Sequence, residues 1–135
     1  MRVFRLIIII IYLMSLSRVN AVNITGSNTI NSDSSTQQVY NADETSLTIT
    51  NSSTLSRTGQ APVNINGKDD ATLTINSGSS ITATSHNTVQ GRNQDGLTVT
   101  NSGTISSGGS KAINLLNGQN STVTNNAGGI IKSNT

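Results

Sequence analysis

Residues Leu97–Ser106 read Leu-Thr-Val-Thr-Asn-Ser-Gly-Thr-Ile-Ser, and the run recurs along the chain. Close copies stand at Leu47–Ser56 (Leu-Thr-Ile-Thr-Asn-Ser-Ser-Thr-Leu-Ser) and at Leu73–Thr82 (Leu-Thr-Ile-Asn-Ser-Gly-Ser-Ser-Ile-Thr). A looser copy occupies Ser121–Ile130. The starts lie 26, 24 and 24 residues apart. Self-similarity at such a spacing is the mark of a solenoid, in which each repeat is one unit stacked on the next.

Each period has an inner pattern. Counting the first Leu as zero, offset +2 holds Ile49, Ile75, Val99 and Val123. Offset +8 holds Leu55, Ile81 and Ile105, with a slip of one residue to Ile130 in the last copy. Offset +16 holds Val63, Val89 and Ile113, and offset +18 holds Ile65, Gly91 and Leu115. Val22, Ile24, Ile30 and Tyr40 fit offsets 0, +2, +8 and +18 of an earlier copy. Apolar residues two apart mean strand, because strand side chains alternate between faces. Asn, Ser, Gly and Asp turns separate about three such strands per period. The pattern predicts an all-β chain: a parallel β-helix of about four to five rungs with a period of 24–26 residues. A single rung cannot bury its own aliphatic residues, so stacking makes the core. Val, Ile and Thr suit the strands because branched side chains pack well on a pleated surface.

Two polar rows fit the same frame. Offset +4 holds Asn51, Ser77, Asn101 and Asn125, which predicts a stacked ladder just before a turn. Offsets +1 and +3 hold Thr48/Thr50, Thr74/Asn76, Thr98/Thr100 and Thr122/Thr124. That row faces outward, is broken at Asn76 and begins imperfectly at Asn23/Thr25.

Composition agrees with an aromatic-poor repeat. Asn, Ser and Thr supply 18, 20 and 19 of the 135 residues, whereas aromatic residues are 2% and charged residues 10%. The composition argues against an ordinary aromatic-rich globular core. Zero cysteines exclude a disulfide scaffold, a Cys-ligated zinc site and a cysteine nucleophile. Met1–Ala21 reads as a secretory signal peptide: Arg2 and Arg5 lead the apolar run Leu6–Met14, and Val19-Asn20-Ala21 offers small residues for cleavage. The run of nine is too short to span a bilayer, which takes about 20 residues. The remaining 22–135 is one repeat region. It carries Arg57, Lys68, Arg92, Lys111 and Lys132 against Asp33, Asp43, Glu44, Asp69, Asp70 and Asp95, a net charge of −1. The basic balance of the whole chain therefore belongs to its first segment, and no basic patch argues for nucleic acid. With Phe4 and Tyr12 removed, Tyr40 is the remaining aromatic, and stacking platforms for bases or sugars are absent.

The Leu97–Ser106 type of run behind a signal peptide resembles the passenger β-helix of Gram-negative autotransporters, including large adhesins. The resemblance covers nearly all of Val22–Thr135 and implies Sec export, passage through the outer membrane and display or release. No series of roughly ten-residue amphipathic strands, as an outer-membrane barrel has, follows the repeats. The chain stops at Lys132-Ser-Asn-Thr135, inside a fifth period, which implies the N-terminal piece of a longer passenger with an incomplete last rung. On its own it would reach the periplasm.

Residues able to do chemistry are few. His86 is the sole histidine, and a Ser/His/Asp site would need it beside Asp69, Asp70 or Asp95. No serine stands in a nucleophile-elbow motif, so His86 reads as a solvated turn residue. Lys68-Asp69-Asp70 and Gln94-Asp95-Gly96 occupy equivalent turns. Paired aspartates can bind calcium or act in hydrolysis, yet one rung has two and the next has one, so turn roles are expected. No calcium repeat or phosphate-cradling loop is present. Asn23, Asn51 and Asn120 are glycosylation sequons, relevant only in a eukaryotic source. The sequence therefore predicts no catalytic, cofactor or metal residues. It predicts an exported structural or interaction module whose partner is a surface or host ligand. The alternatives are an ice-binding solenoid using the outward Thr row and, further off, a β-helical polysaccharide hydrolase acting through Asp69 and Asp70. An exposed last rung without a polar cap is expected to leave stability marginal and to favour self-association.

Overall fold

The computed structural model describes residues 21–134, so apart from Ala21 the predicted signal peptide lies outside the described residues. The chain runs through β1 (Ala21–Ile24), β2 (Ser27–Ile30), β3 (Gln37–Tyr40), β4 (Ser46–Ile49) and β5 (Thr54–Arg57). It continues through β6 (Val63–Asn64), β7 (Thr72–Ile75), β8 (Ser80–Ala83), β9 (Val89–Arg92) and β10 (Thr98–Asn101). It closes with β11 (Thr104–Ser107), β12 (Ile113–Leu116), β13 (Thr122–Asn125) and β14 (Ile130–Ser133). The described residues contain no helix.

The strands visit three sheets in a fixed order. The first sheet stacks β1-β3-β6-β9-β12, the second β2-β4-β7-β10-β13 and the third β5-β8-β11-β14. Every pairing is parallel, as consecutive turns of one coil require. The molecule is the predicted β-solenoid, with four full turns of 24 to 26 residues. A shortened turn precedes them: Ala21 pairs Gln37 and Ser27 pairs Ser46, steps of 16 and 19 residues. There the third sheet is represented only by a bridge from Ser34 to Leu55.

Alternation places the aliphatic rows inside. Leu47, Leu73 and Val99 form one row of the second sheet, Ile49 and Ile75 begin another, and Leu55, Ile81 and Ile105 line the third sheet, all buried. Tyr40 completes the lumen near the N-terminal end, its hydroxyl donating to the Thr72 carbonyl at 2.8 Å. Burial pushes this phenol well above its usual range.

Register departs from the sequence expectation at three places. Val22 and Ile24 pair with β3 in the first sheet, so Asn28 and Ile30, not Val22 and Ile24, stand over Leu47 and Ile49. Leu73 pairs Val99, a step of 26, where matching Leu73 to Leu97 required 24. The third sheet returns to a step of 24, because β10 and β11 are joined by Ser102-Gly103 alone while four residues join β7 to β8. In the last turn Ile131, not Ile130, faces Ile105. At Leu73 the shift is of two residues and keeps every side chain on its own face, so the alternating pattern does not distinguish the two registers there.

The shift moves Asn101 into the inward row, level with Ile75 and fully buried. Its Nδ2 donates to Asn125 Oδ1 at 2.8 Å and to the Ile130 carbonyl at 3.1 Å, so the buried amide is partnered. The expected Asn ladder is therefore a pair, Asn101 and Asn125. Asn51 instead takes a left-handed turn conformation at φ 56°.

Candidate functional site

The outer face of the second sheet carries two straight columns of side chains. Inward Leu and Val residues force their strand neighbours outward. The observed pairing lines these up as Ser27, Ser46, Thr72, Thr98 and Thr122 in one column. Thr29, Thr48, Thr74, Thr100 and Thr124 form the second. Parallel strands stand about 4.8 Å apart, and alternate residues along a strand are separated by about 6.6 Å. The two columns are thus an unbroken rectangular lattice of ten hydroxyl residues. The sequence alignment missed Ser27, Thr29, Ser46 and Thr72 as members and placed a break at Asn76. Asn76 belongs to the turn after β7, where its Nδ2 donates to Thr50 Oγ1 at 3.1 Å.

Hydroxyl availability separates this face from its neighbour. On the third sheet Thr54 accepts from Ser80 at 3.1 Å, and the Thr82 and Ser106 hydroxyls bond each other at 3.2 Å. Among the described residues no side-chain hydrogen bond consumes a hydroxyl of the second-sheet lattice. These groups face outward with donor and acceptor capacity intact.

The aspartates lie along one corner of the coil. Asp43 Oδ1 accepts the Asp69 amide at 3.1 Å, and Asp69 Oδ1 accepts the Asp95 amide at 2.8 Å. Asp95 Oδ1 accepts Asn120 Nδ2 at 2.8 Å. Each carboxylate ties one rung to the next, as a turn residue does. Asp43 was the overlooked member, although the equal 26-residue steps from Asp43 to Asp69 to Asp95 carry it. Asp70 takes a left-handed turn conformation at φ 51° beside Gly96.

His86 is half-buried, with no partner for Nδ1, and its carbonyl accepts the Ser107 hydroxyl at 2.9 Å. No hydrogen bond among the described residues brings its ring to a serine or to Asp69, Asp70 or Asp95. Likewise, no three His, Asp or Glu side chains among the described residues converge as metal donors. An open groove of about 470 Å³ lies where the third sheet lacks its first strand, lined by Asp33, Ser34, Ser35, Thr54 and Ser56. Asp33 already accepts the Thr54 amide there at 2.8 Å. No helix among the described residues is long and apolar enough to cross a membrane.

Comparison with protein-family models, with curated proteins and with solved structures finds no match for this chain.

Proposed function

We propose that this chain is an exported structural and interaction module: the N-terminal stretch of an autotransporter passenger of the adhesin type, without catalysis. The observation that supports the reading is the division of the solenoid into an aliphatic lumen and polar Ser, Thr, Asn and Gln columns outside. Such a coil has little chemistry of its own. It is a spacer whose faces and turns present groups to a ligand on another surface. On this reading the product enters the periplasm by the Sec route and reaches the cell surface when a translocating barrel follows it.

Two measurements test the proposal. N-terminal sequencing of protein recovered from the periplasm of a Gram-negative host should start at Val22. Sequencing the locus past codon 135 should reveal further 24–26-residue rungs and then amphipathic strands of roughly ten residues. An unprocessed cytoplasmic product would remove the export half of the reading, and unrelated downstream sequence the passenger half.

A second reading, ice binding, is favoured by the continuity of the second-sheet lattice. Ten hydroxyl residues in two straight columns offer evenly spaced oxygens and methyls to an ordered water lattice. Thermal hysteresis of the purified solenoid, lost in Thr74→Lys at the centre of the face, is its expected signature. No hysteresis in the unaltered protein removes it.

A further inference from the structure

We propose that Asn117 is a site of spontaneous self-modification, its side-chain amide attacked by the Gly118 nitrogen, losing ammonia and ending as aspartate or isoaspartate. Position in the coil selects it over the chain's other Asn-Gly pair.

Glycine follows asparagine at two places, Asn66-Gly67 and Asn117-Gly118, and both asparagines are exposed. A backbone nitrogen reaches the side-chain carbonyl carbon of the preceding residue most easily when no Cβ stands in the way, which glycine allows. The new N–Cγ bond closes a five-membered imide as the Cγ–Nδ2 bond breaks. The proton of the attacking nitrogen leaves with Nδ2 as ammonia. Water then opens the ring, giving aspartate by attack at Cγ and isoaspartate by attack at the backbone carbonyl.

The fold treats the two pairs differently. Gly67 lies one rung before Asn93 and donates along the coil to the Arg92 carbonyl at 2.7 Å, as Asn93 donates to that of Leu116 at 3.0 Å. That bond has to break before the nitrogen can turn onto Asn66. Asn117-Gly118 is set one residue later in the coil. Asn117 stands over Asn93, its Nδ2 donating to Asn93 Oδ1 at 3.2 Å, so Gly118 stands over Gln94. Among the described residues neither the Gln94 nor the Gly118 amide nitrogen has an acceptor, although Gln94 has a rung on each side. The nitrogen at this position is therefore outside the ladder. Packing also holds glycine there, because a Cβ at Gly118 would collide with Gln94 Nε2.

Conversion alters the corner of the coil. A carboxylate at 117 offers no donor to Asn93 Oδ1 and adds a negative charge to the corner that holds Asp95. Isoaspartate also lengthens the backbone just before Gln119, whose amide donates to the Gln94 carbonyl at 2.9 Å.

Peptide mass spectrometry of the full chain, incubated at mildly alkaline pH both folded and in urea, follows the two sites together. In the folded chain Asn117 should convert at least about fivefold faster than Asn66, the factor that one net hydrogen bond supplies. In urea the Gly67 bond is gone and the two rates should converge. Lys68→Gln gives both pairs the same following residue, and the folded difference should survive it; circular dichroism checks that this variant keeps its strands. Equal folded rates, faster loss at Asn66, an Asn117 that stays intact while folded, or a difference that persists in urea would each overturn the proposal.

Discussion

Gly91 interrupts the inward apolar row that runs from Ile24 through Tyr40 and Ile65 to Leu115, and Gln94 lays its side chain over the gap. A Cβ at Gly91 would come within 3.0 Å of Gln94 Cδ. The filling is sterically good and electrostatically poor, because both amide atoms of Gln94 are buried without a partner. Gln94→Met keeps the length and removes the unpaired groups, so it should stabilise the fold by about 1 kcal/mol in a urea titration. Tyr40 is the opposite case. Tyr40→Phe deletes the bond to the Thr72 carbonyl and should cost about 1 kcal/mol. Its phenol is neutral when folded, and burial raises its pKa above the usual value of about 10, so the unfolded state loses this proton first. Stability is therefore fully present below pH 10 and falls as pH rises above it, by about 1.4 kcal/mol per unit. Alkaline unfolding of the parent and of Tyr40→Phe, measured side by side, checks the sign: the variant should lack that slope.

Between β10 and β11 the chain turns in two residues, and the turn is possible because Gly103 slides past the rung above. A Cβ there would collide with the Ser79 carbonyl and stand 2.6 Å from that of Asn76. Gly103→Ala should cost about 2 kcal/mol or more, or push the second sheet out of register. Gly59, with open space around it but φ at 80°, should cost only about 1 kcal/mol on the same change. Thermal melts of the two variants make the comparison. The element level also marks where sequence reading stopped. Leu73-Thr-Ile and Leu97-Thr-Val look like one another, and matching them is natural, yet Leu73 faces Val99. The identity of the strands was legible because an apolar period of two is local. Their partners were not, because the short turn at Ser102-Gly103 shifts one sheet against another. The continuous Thr lattice was lost with the register, since its members align only after the two-residue step.

At the scale of the whole molecule, stability is a sum over neighbouring rungs. Leu73 has a rung on both sides and is fully buried, whereas Val123 is 42% exposed on the last strand of its sheet. Leu73→Ala should cost about 2–5 kcal/mol, and Val123→Ala under about 1 kcal/mol. Hydrogen exchange should follow the same gradient. Amides in β13 and β14 should exchange first, and those in β7 and β8 last. Uniform protection from end to end would show the coil to unfold as one unit.

The sequence by itself determined that this chain is a three-stranded parallel coil with aliphatic residues inside. β-branched residues two apart, repeated every 24–26 residues with Asn, Ser and Gly between, admit no other packing that buries them. It also carried the turn role of the aspartates, whose equal spacing is a property of the chain alone. Only the tertiary structure decided the register, the shortened first turn, the burial of Asn101 and the alignment of the outer hydroxyls. The reason is that a slip of two residues preserves inside and outside. Choosing between slips falls to the fit of turns such as Gly103 against the rung above, a contact between residues 24 or more apart.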